Sequence, residues 1–174
     1  VIDEAMKVTS YGSLLKVCKD LLHEKIPIID MLTIIEAIAD IAEFTKAPEI
    51  LLEHVRAKLY RLITQKFKDT DGILHIVTIK PELEQQFIGK LQEHHGVSQL
   101  MISIAEINNL VTKTKKLLDS IEVKGFSKIT MVVDPILRKR ISEIYEKFGL
   151  QVSVLSHAEL DSKANFAIEG TLEF

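Results

Sequence analysis

Apolar residues recur at three- and four-residue intervals through the first third of the chain. Leu14, Leu15, Cys18, Leu21 and Leu22, separated by Lys16, Lys19 and Asp20, predict an amphipathic helix after Thr9 and Ser10. Pro27 ends it. Asp30 is placed to cap a second helix with the stripe Met31, Ile34, Ile35, Ile38 and Ile41, opposite a polar edge holding Glu36 and Asp40. Pro48 stands at the first position of a third helix, whose inward face is Leu52, Val55, Leu59, Leu62 and Ile63. Three helices are expected across residues 10–67.

From Asp71-Gly72 the period changes. Residues 73–79 are a short, β-branched, largely apolar run bounded by turn residues, as in a buried strand. Pro81 opens a helix carrying Leu83, Phe87 and Leu91 that stops near Gly96. Ser103 and Glu106 form a capping-box start for a long helix through Ile107, Val111, Leu118 and Ile121, ended by Gly125. Residues 129–133 read as a second buried strand, Asp134-Pro135 starts a helix with Ile141, Ile144 and Phe148 inward, and Gly149 leads to a third strand at 152–155. In the tail, Phe166, Ile168, Leu172 and Phe174 alternate with Glu169, Thr171 and Glu173, which predicts a strand with one wet side. The expected class is α+β or α/β: a three-helix subdomain at 1–68, then a small α/β sandwich at 69–174 with a mostly parallel four-stranded sheet.

Composition narrows the function classes. With 47% hydrophobic and 27% charged residues the 174-residue chain is neither a disordered tail nor a fibre. Its 22 basic and 25 acidic residues give a net charge of −3, the wrong sign for a face that neutralises phosphates, so no nucleic-acid partner is expected. The single Cys18 forms no internal disulfide, which suits a reducing, cytoplasmic setting. Mean hydropathy is high at +0.15. Yet Asp30 interrupts the apolar run around it, and no charge-free stretch approaches the roughly 18 residues a membrane span needs. A start at Val1 without a basic, then apolar, leader is read as a fragment with no signal peptide.

Candidate chemistry is sparse. His94 and His95, adjacent on an expected helix, would point about 100° apart, whereas two metal-ligating imidazoles prefer positions i and i+4. His23, His54, His75 and His157 have no HExxH or Cys partner. The glycines form no phosphate-cradling motif, and the turns after the strands are Lys80-Pro81 and Asp134-Pro135. Cys18, on an apolar stripe, reads as a small hydrophobe. No cofactor and no metal are expected. Asp134 at a strand end is where a receiver domain carries its phosphoacceptor, but the first strand ends in Thr78, Ile79 and Lys80 without an acidic pair, and the position equally suits a helix cap. A receiver-like or small-molecule-binding α/β domain with a helical extension is the alternative reading. Two basic runs, Lys113, Lys115 and Lys116, then Arg138, Lys139 and Arg140, form a candidate docking patch for an acidic partner surface.

The stretch Leu21-Leu22-His23-Glu24-Lys25-Ile26-Pro27-Ile28-Ile29-Asp30-Met31-Leu32-Thr33-Ile34-Ile35-Glu36-Ala37-Ile38-Ala39 resembles the helical signature of the flagellar and type III secretion export-gate family, the FHIPEP family. Thr45-Lys46-Ala47-Pro48, Glu53-His54-Val55-Arg56 with Leu59, and Pro81-Glu82-Leu83-Glu84 resemble its next blocks. Val133-Asp134-Pro135-Ile136-Leu137-Arg138 and Val154-Leu155-Ser156-His157-Ala158-Glu159-Leu160 resemble its C-terminal pair. The likeness runs in order over essentially the whole chain, and its wording leans flagellar. It departs where Ile29 and Leu32 replace the family's usual arginines, so no role of those arginines carries over.

The resemblance implies the last two of four cytoplasmic subdomains of an inner-membrane protein that forms a homo-oligomeric ring at the cytoplasmic face. Its implied partners are further copies of itself, the export ATPase complex with its stalk, and chaperone–substrate complexes, held without catalysis. The principal chaperone-docking hollow would lie outside this chain. Dense motifs without catalytic residues make Ile29, Leu32, Glu36, Asp40, Glu53, Arg56 and Tyr60 candidates for subunit or subdomain contacts, the two aliphatic ones as an exposed apolar patch.

Overall fold

The computed structural model describes Asp3 and residues 10–174. Ser10 accepts the Ser13 N–H at 3.1 Å and starts α1, Tyr11–His23; Thr9, read with it as the helix entry, and most of the first ten residues of the expected 1–68 subdomain lie outside the described residues. Asp30 Oδ1 accepts the Thr33 N–H at 3.2 Å and starts α2, Met31–Ile41. Pro48 opens α3, Pro48–Lys58. The expected third helix is in fact two. Leu59 leaves helical geometry at φ −86°, ψ 17°, and α4 follows as Tyr60–Phe67. The inward face survives the break because Leu59 and Ile63 stay buried in the same cluster as Val55.

β1, Leu74–Ile79, leads to α5, Pro81–Ile88. Residues 91–100, read as the end of that helix and a loop, instead form an antiparallel hairpin of β2, Leu91–His94, and β3, Val97–Leu100. His95 (φ 53°) and Gly96 (φ 78°) make its two-residue turn, the pair of positive φ values that a type I′ hairpin requires. His94 and His95 are therefore on a strand and a turn, not on a helix. The capping box of Ser103 and Glu106 starts α6, Ile104–Glu122. Then come β4, Thr130–Val133, α7, Pro135–Lys147, β5, Ser153–Ser156, a 3₁₀ turn at His157–Glu159, and β6, Phe166–Leu172.

The four-stranded sheet has the order β5-β4-β1-β6 and every pairing in it is parallel. One of its faces, through Leu74, Ile76, Val132 and Leu155, shares a core with Val17, Leu21, Ile34, Ile38, Leu52 and Ile63 of the helices α1–α4. The other, through Val77, Ile79, Met131, Val133 and Val154, packs on α5, α6 and α7. The result is three layers, with the sheet between two sets of helices.

In β6 the expected inward face is reversed over its first half. Ile76 pairs with Ile168 but Val77 with Gly170, so Glu169 is an extra residue in the ladder. Before this bulge Phe166 and Ile168 are exposed, at 53% and 59%; after it Leu172 is buried. The bulge turns Glu169 toward His75, whose Nδ1 lies 2.9 Å from Glu169 Oε1 and whose Nε2 lies 2.8 Å from Asp71 Oδ2. Phe126 stacks on the imidazole at 3.9 Å, and Lys124 pairs with the far oxygen of Glu169 at 3.5 Å. With a carboxylate at each ring nitrogen, the imidazolium donates twice. Burial disfavours that charge, but the hydrogen bonds and charges of Glu169 and Asp71 outweigh it and hold the His75 pKa above its ordinary value. A raised folded pKa stabilises fully below the unfolded value of about 6.5 and loses its contribution as pH rises through the folded value. The urea midpoint should therefore fall as pH rises from about 6.5 through the folded value, and His75→Gln should flatten that fall. Equal slopes in the two proteins would remove His75 from the account.

Candidate functional site

Six charged side chains meet where the α1–α4 layer touches the edge of the sheet. Glu24, the C-cap of α1, is the hub: its Oε2 accepts from Arg56 Nη1 at 2.7 Å and from Arg138 Nη1 at 2.8 Å. Its Oε1 takes longer bonds from Lys139 Nζ and Ser142 Oγ, both 3.4 Å. Arg138, on α7, forks onto Glu53 of α3 at 2.6 and 2.8 Å. Arg56, also on α3, places Nε and Nη2 on Glu159 Oε1 at 3.1 and 2.6 Å, and Ser156 donates to the other oxygen of Glu159 at 2.9 Å. Both guanidiniums also reach Val154 O, at 3.5 and 3.4 Å, on the outer strand β5. They occupy the edge of the sheet there, where a further strand would otherwise pair.

Arg56, Arg138 and Glu159 are each no more than 1% exposed. Burial works against the charge of Arg138, yet the hydrogen bond and charge of Glu53, with Glu24 and Glu159 behind it, push its pKa still higher. Burial also raises Glu24, but Arg138, Arg56 and Lys139 together hold its carboxyl below the usual range. A cluster in which each carboxylate faces a guanidinium is built to hold layers together rather than to move protons. Further along the same interface Arg140 bonds Ser98 O of the hairpin at 2.6 Å and pairs with Glu49 of α3 and Glu143. At the opposite end Asp69 takes N–H groups of Thr70, Ser127 and Lys128 and the Ser127 hydroxyl, led by the last, and its carboxyl sits far below the usual range.

These placements divide the candidate residues. Ile29 (82% exposed), in the connection before α2, and Leu32 (53%), Glu36 and Asp40 on α2 face solvent, Asp40 with His54 Nε2 at 3.8 Å. Tyr60 is half-buried under Arg61. Glu53 and Arg56, expected to make subunit or subdomain contacts, face the sheet layer of the same chain and so join residues 1–68 to residues 69–174. The basic patch, by contrast, is corrected. Arg138 is wholly enclosed, and Lys139 and Arg140 are drawn into internal pairs, because α7 packs against β5 and presents this run to Glu24, Glu53 and Glu49. Lys113, Lys115 and Lys116 remain on the outside of α6, Lys115 paired with Asp119. Cys18 is buried. Asp134 caps α7 by accepting the Ile136 N–H at 3.0 Å, while its own N–H goes to Glu84.

Sequence reasoning named neither Glu24 nor Glu159 as functional, nor His75 with Glu169. For the junction a signal existed: Glu24, Glu53, Arg56, Arg138 and Glu159 all lie inside the blocks quoted above for the resemblance. Among the described residues no three His, Cys, Asp or Glu side chains gather where they could hold a metal, and no helix is long and apolar enough to cross a membrane.

The chain is similar to the flagellar biosynthesis protein FlhA of Helicobacter pylori (strain J99), 39% identical over 173 residues, which is 99% of this chain and 24% of that protein. It is 29% identical to FlhA of Escherichia coli (strain K12) over 165 residues, 95% of this chain and 23% of that protein. It thus spans roughly a quarter of the length of these curated relatives. Its fold matches nonameric EPEC SctV-C with a TM-score of 0.86 at 20% identity, covering 98% of this chain and 51% of that one. It also matches the Chlamydia pneumoniae CdsV and CdsO protein complex, with a TM-score of 0.84 at 20% identity over 98% of this chain and 50% of that one. The model of the FHIPEP family matches residues 1–165, and the chain belongs to that family.

Proposed function

We propose that this chain is part of the cytoplasmic region of a flagellar-type protein-export gate in the bacterial inner membrane, and that it works by holding other proteins, without catalysis. Residues 1–68 and 69–174 are its third and fourth cytoplasmic subdomains, the first contributing to a homo-oligomeric ring and the second facing the export ATPase complex with its stalk and chaperone–substrate traffic. The likeness to FlhA along the whole chain and to a fold solved as a nonamer supports this reading.

The observation that carries it is the outer face of α2. Leu32, Glu36 and Asp40 on the helix, Ile29 and Asp30 just before it, and Glu43 and Phe44 (84% exposed) just after it are all exposed, and no Lys or Arg occurs from residue 26 to residue 45. The stretch 57–68 is the reverse, carrying Lys58, Arg61, Lys66 and Lys68 and no acidic residue. An acidic, apolar face and a basic face on one chain suit a head-to-tail contact between copies, and such contacts close into rings. In the full-length protein, Glu36→Lys with Asp40→Lys is expected to abolish ring assembly and motility, and Lys58→Glu with Arg61→Glu on the same chain to restore assembly in part. Rings of unchanged yield from the first variant would end this assignment.

A further inference from the structure

β6 is an outer strand, paired among the described residues along one edge only, to β1. Near its end the Lys80 N–H donates to Leu172 O at 2.9 Å, which turns the main chain of Leu172 toward β1. By the alternation of a parallel ladder, the N–H and C=O of Thr171 and the C=O of Glu173 then point to the open side. Glu173 O does so, since it accepts from Lys113 Nζ on α6 at 3.4 Å. Strand and helix approach closely because residue 170 is glycine: a Cβ there would stand 2.7 Å from Leu117 Cδ1.

Between them runs a groove of about 440 Å³ lined by Lys113, Lys116, Leu117, Thr171, Leu172, Glu173 and Phe174. Its floor is apolar and held in place. The Phe174 ring meets buried Phe87 edge-on at 5.8 Å, with the Lys113 amine 5.3 Å from the Phe174 ring centre. Glu173 pairs with Lys80 at 3.4 Å, so the charge on the helix side of the groove is that of Lys113 and Lys116. An open strand edge, a flanking helix and an apolar floor are the parts with which folded domains take up extended peptides as an added strand.

We propose that this groove binds an extended, acidic segment of a partner protein, which adds to the open edge of β6 and sets its carboxylates against Lys113 and Lys116. The inference rests on the reading of the chain as a protein-holding module and names the chemistry of one partner.

The probe is an end-blocked eight-residue peptide alternating glutamate and valine, titrated into the 174-residue chain by calorimetry, with amide exchange followed at Thr171. Saturable binding below about 1 mM is expected, with slowed exchange at Thr171. Lys113→Glu with Lys116→Glu should weaken it by about tenfold or more, and Lys115→Glu should not. A peptide N-methylated at alternate residues, unable to pair as a strand, should not bind, nor should one with lysine in place of glutamate. Absent binding, binding unchanged by the Lys113 and Lys116 reversals, or binding retained by the N-methylated peptide would overturn the proposal. So would a dimer of the chain that protects Thr171 without peptide, because a second copy would then be the occupant. Loss of the groove leaves the α2 contact standing, and loss of ring assembly in the α2 variants leaves peptide binding to be read on its own.

Discussion

Arg138→Ala is expected to destabilise the chain by about 3–5 kcal/mol, the cost of stripping one partner from a buried ion pair. The side chain is fully enclosed and its guanidinium is the fork for Glu53, a second donor to Glu24 and a cation 3.7 Å from Glu159. Truncation leaves three carboxylates around Arg56 alone, with Lys139 the nearest remaining cation on α7. Water cannot fully repay them, since Glu24 and Glu159 are 11% and 1% exposed. In urea the midpoint should move down by more than about 1 M at an unchanged slope. A cycle of Arg138→Ala and Glu53→Ala should show strong coupling, because removing Glu53 as well relieves one orphaned charge. Additive effects of the two substitutions would mean that the fork contributes nothing beyond packing. The same variant separates folding from assembly, since Arg138 offers no atom to a neighbouring copy.

What was readable in the sequence was local. Ser10, Asp30, Ser103 with Glu106, and Asp134 were each read as helix starts, and each caps its helix through a bond two or three residues away. The buried strands announced themselves as apolar runs because both of their faces are covered. The failures share a cause, which is that partners distant in the chain decide the outcome. The hairpin at 91–100 has few apolar residues, so Gly96 read as a helix stop when it is half of a turn pressed against Ala47. The face of β6 depended on one inserted residue, Glu169, whose partner His75 is 94 positions away. The ion pairs of the junction join residues separated by 21 to 115 positions, so no periodicity could assemble it. Arginine beside lysine at 138–140 reads as an exposed docking patch, because sequence spacing does not say which way α7 faces.

Leu155→Ala should cost about 2–5 kcal/mol, and its larger meaning lies in which part of the chain loosens. Leu155 belongs to β5, yet it is fully buried in the cluster that also holds Val17, Leu21, Ile34, Ile38, Leu52 and Val55. A methylene-rich side chain removed from the sheet therefore opens a cavity whose other wall is made by the helices α1–α4. If the two layers were independent units, the loss would fall on the sheet and leave helix unfolding where it was. The core is shared, however, and the ionic junction closes the same interface around Arg56 and Arg138, so the cost must be felt by both. Hydrogen exchange in α2 and in β4 should accelerate by the same factor in this variant, and thermal unfolding should remain a single transition at a lower temperature. Acceleration confined to the strands would show that the helical layer keeps its own stability and that the contact between layers is a hinge. Equal acceleration fits a chain whose α2 face and β6 groove are carried on one rigid body, which keeps the two proposed contacts at a fixed distance.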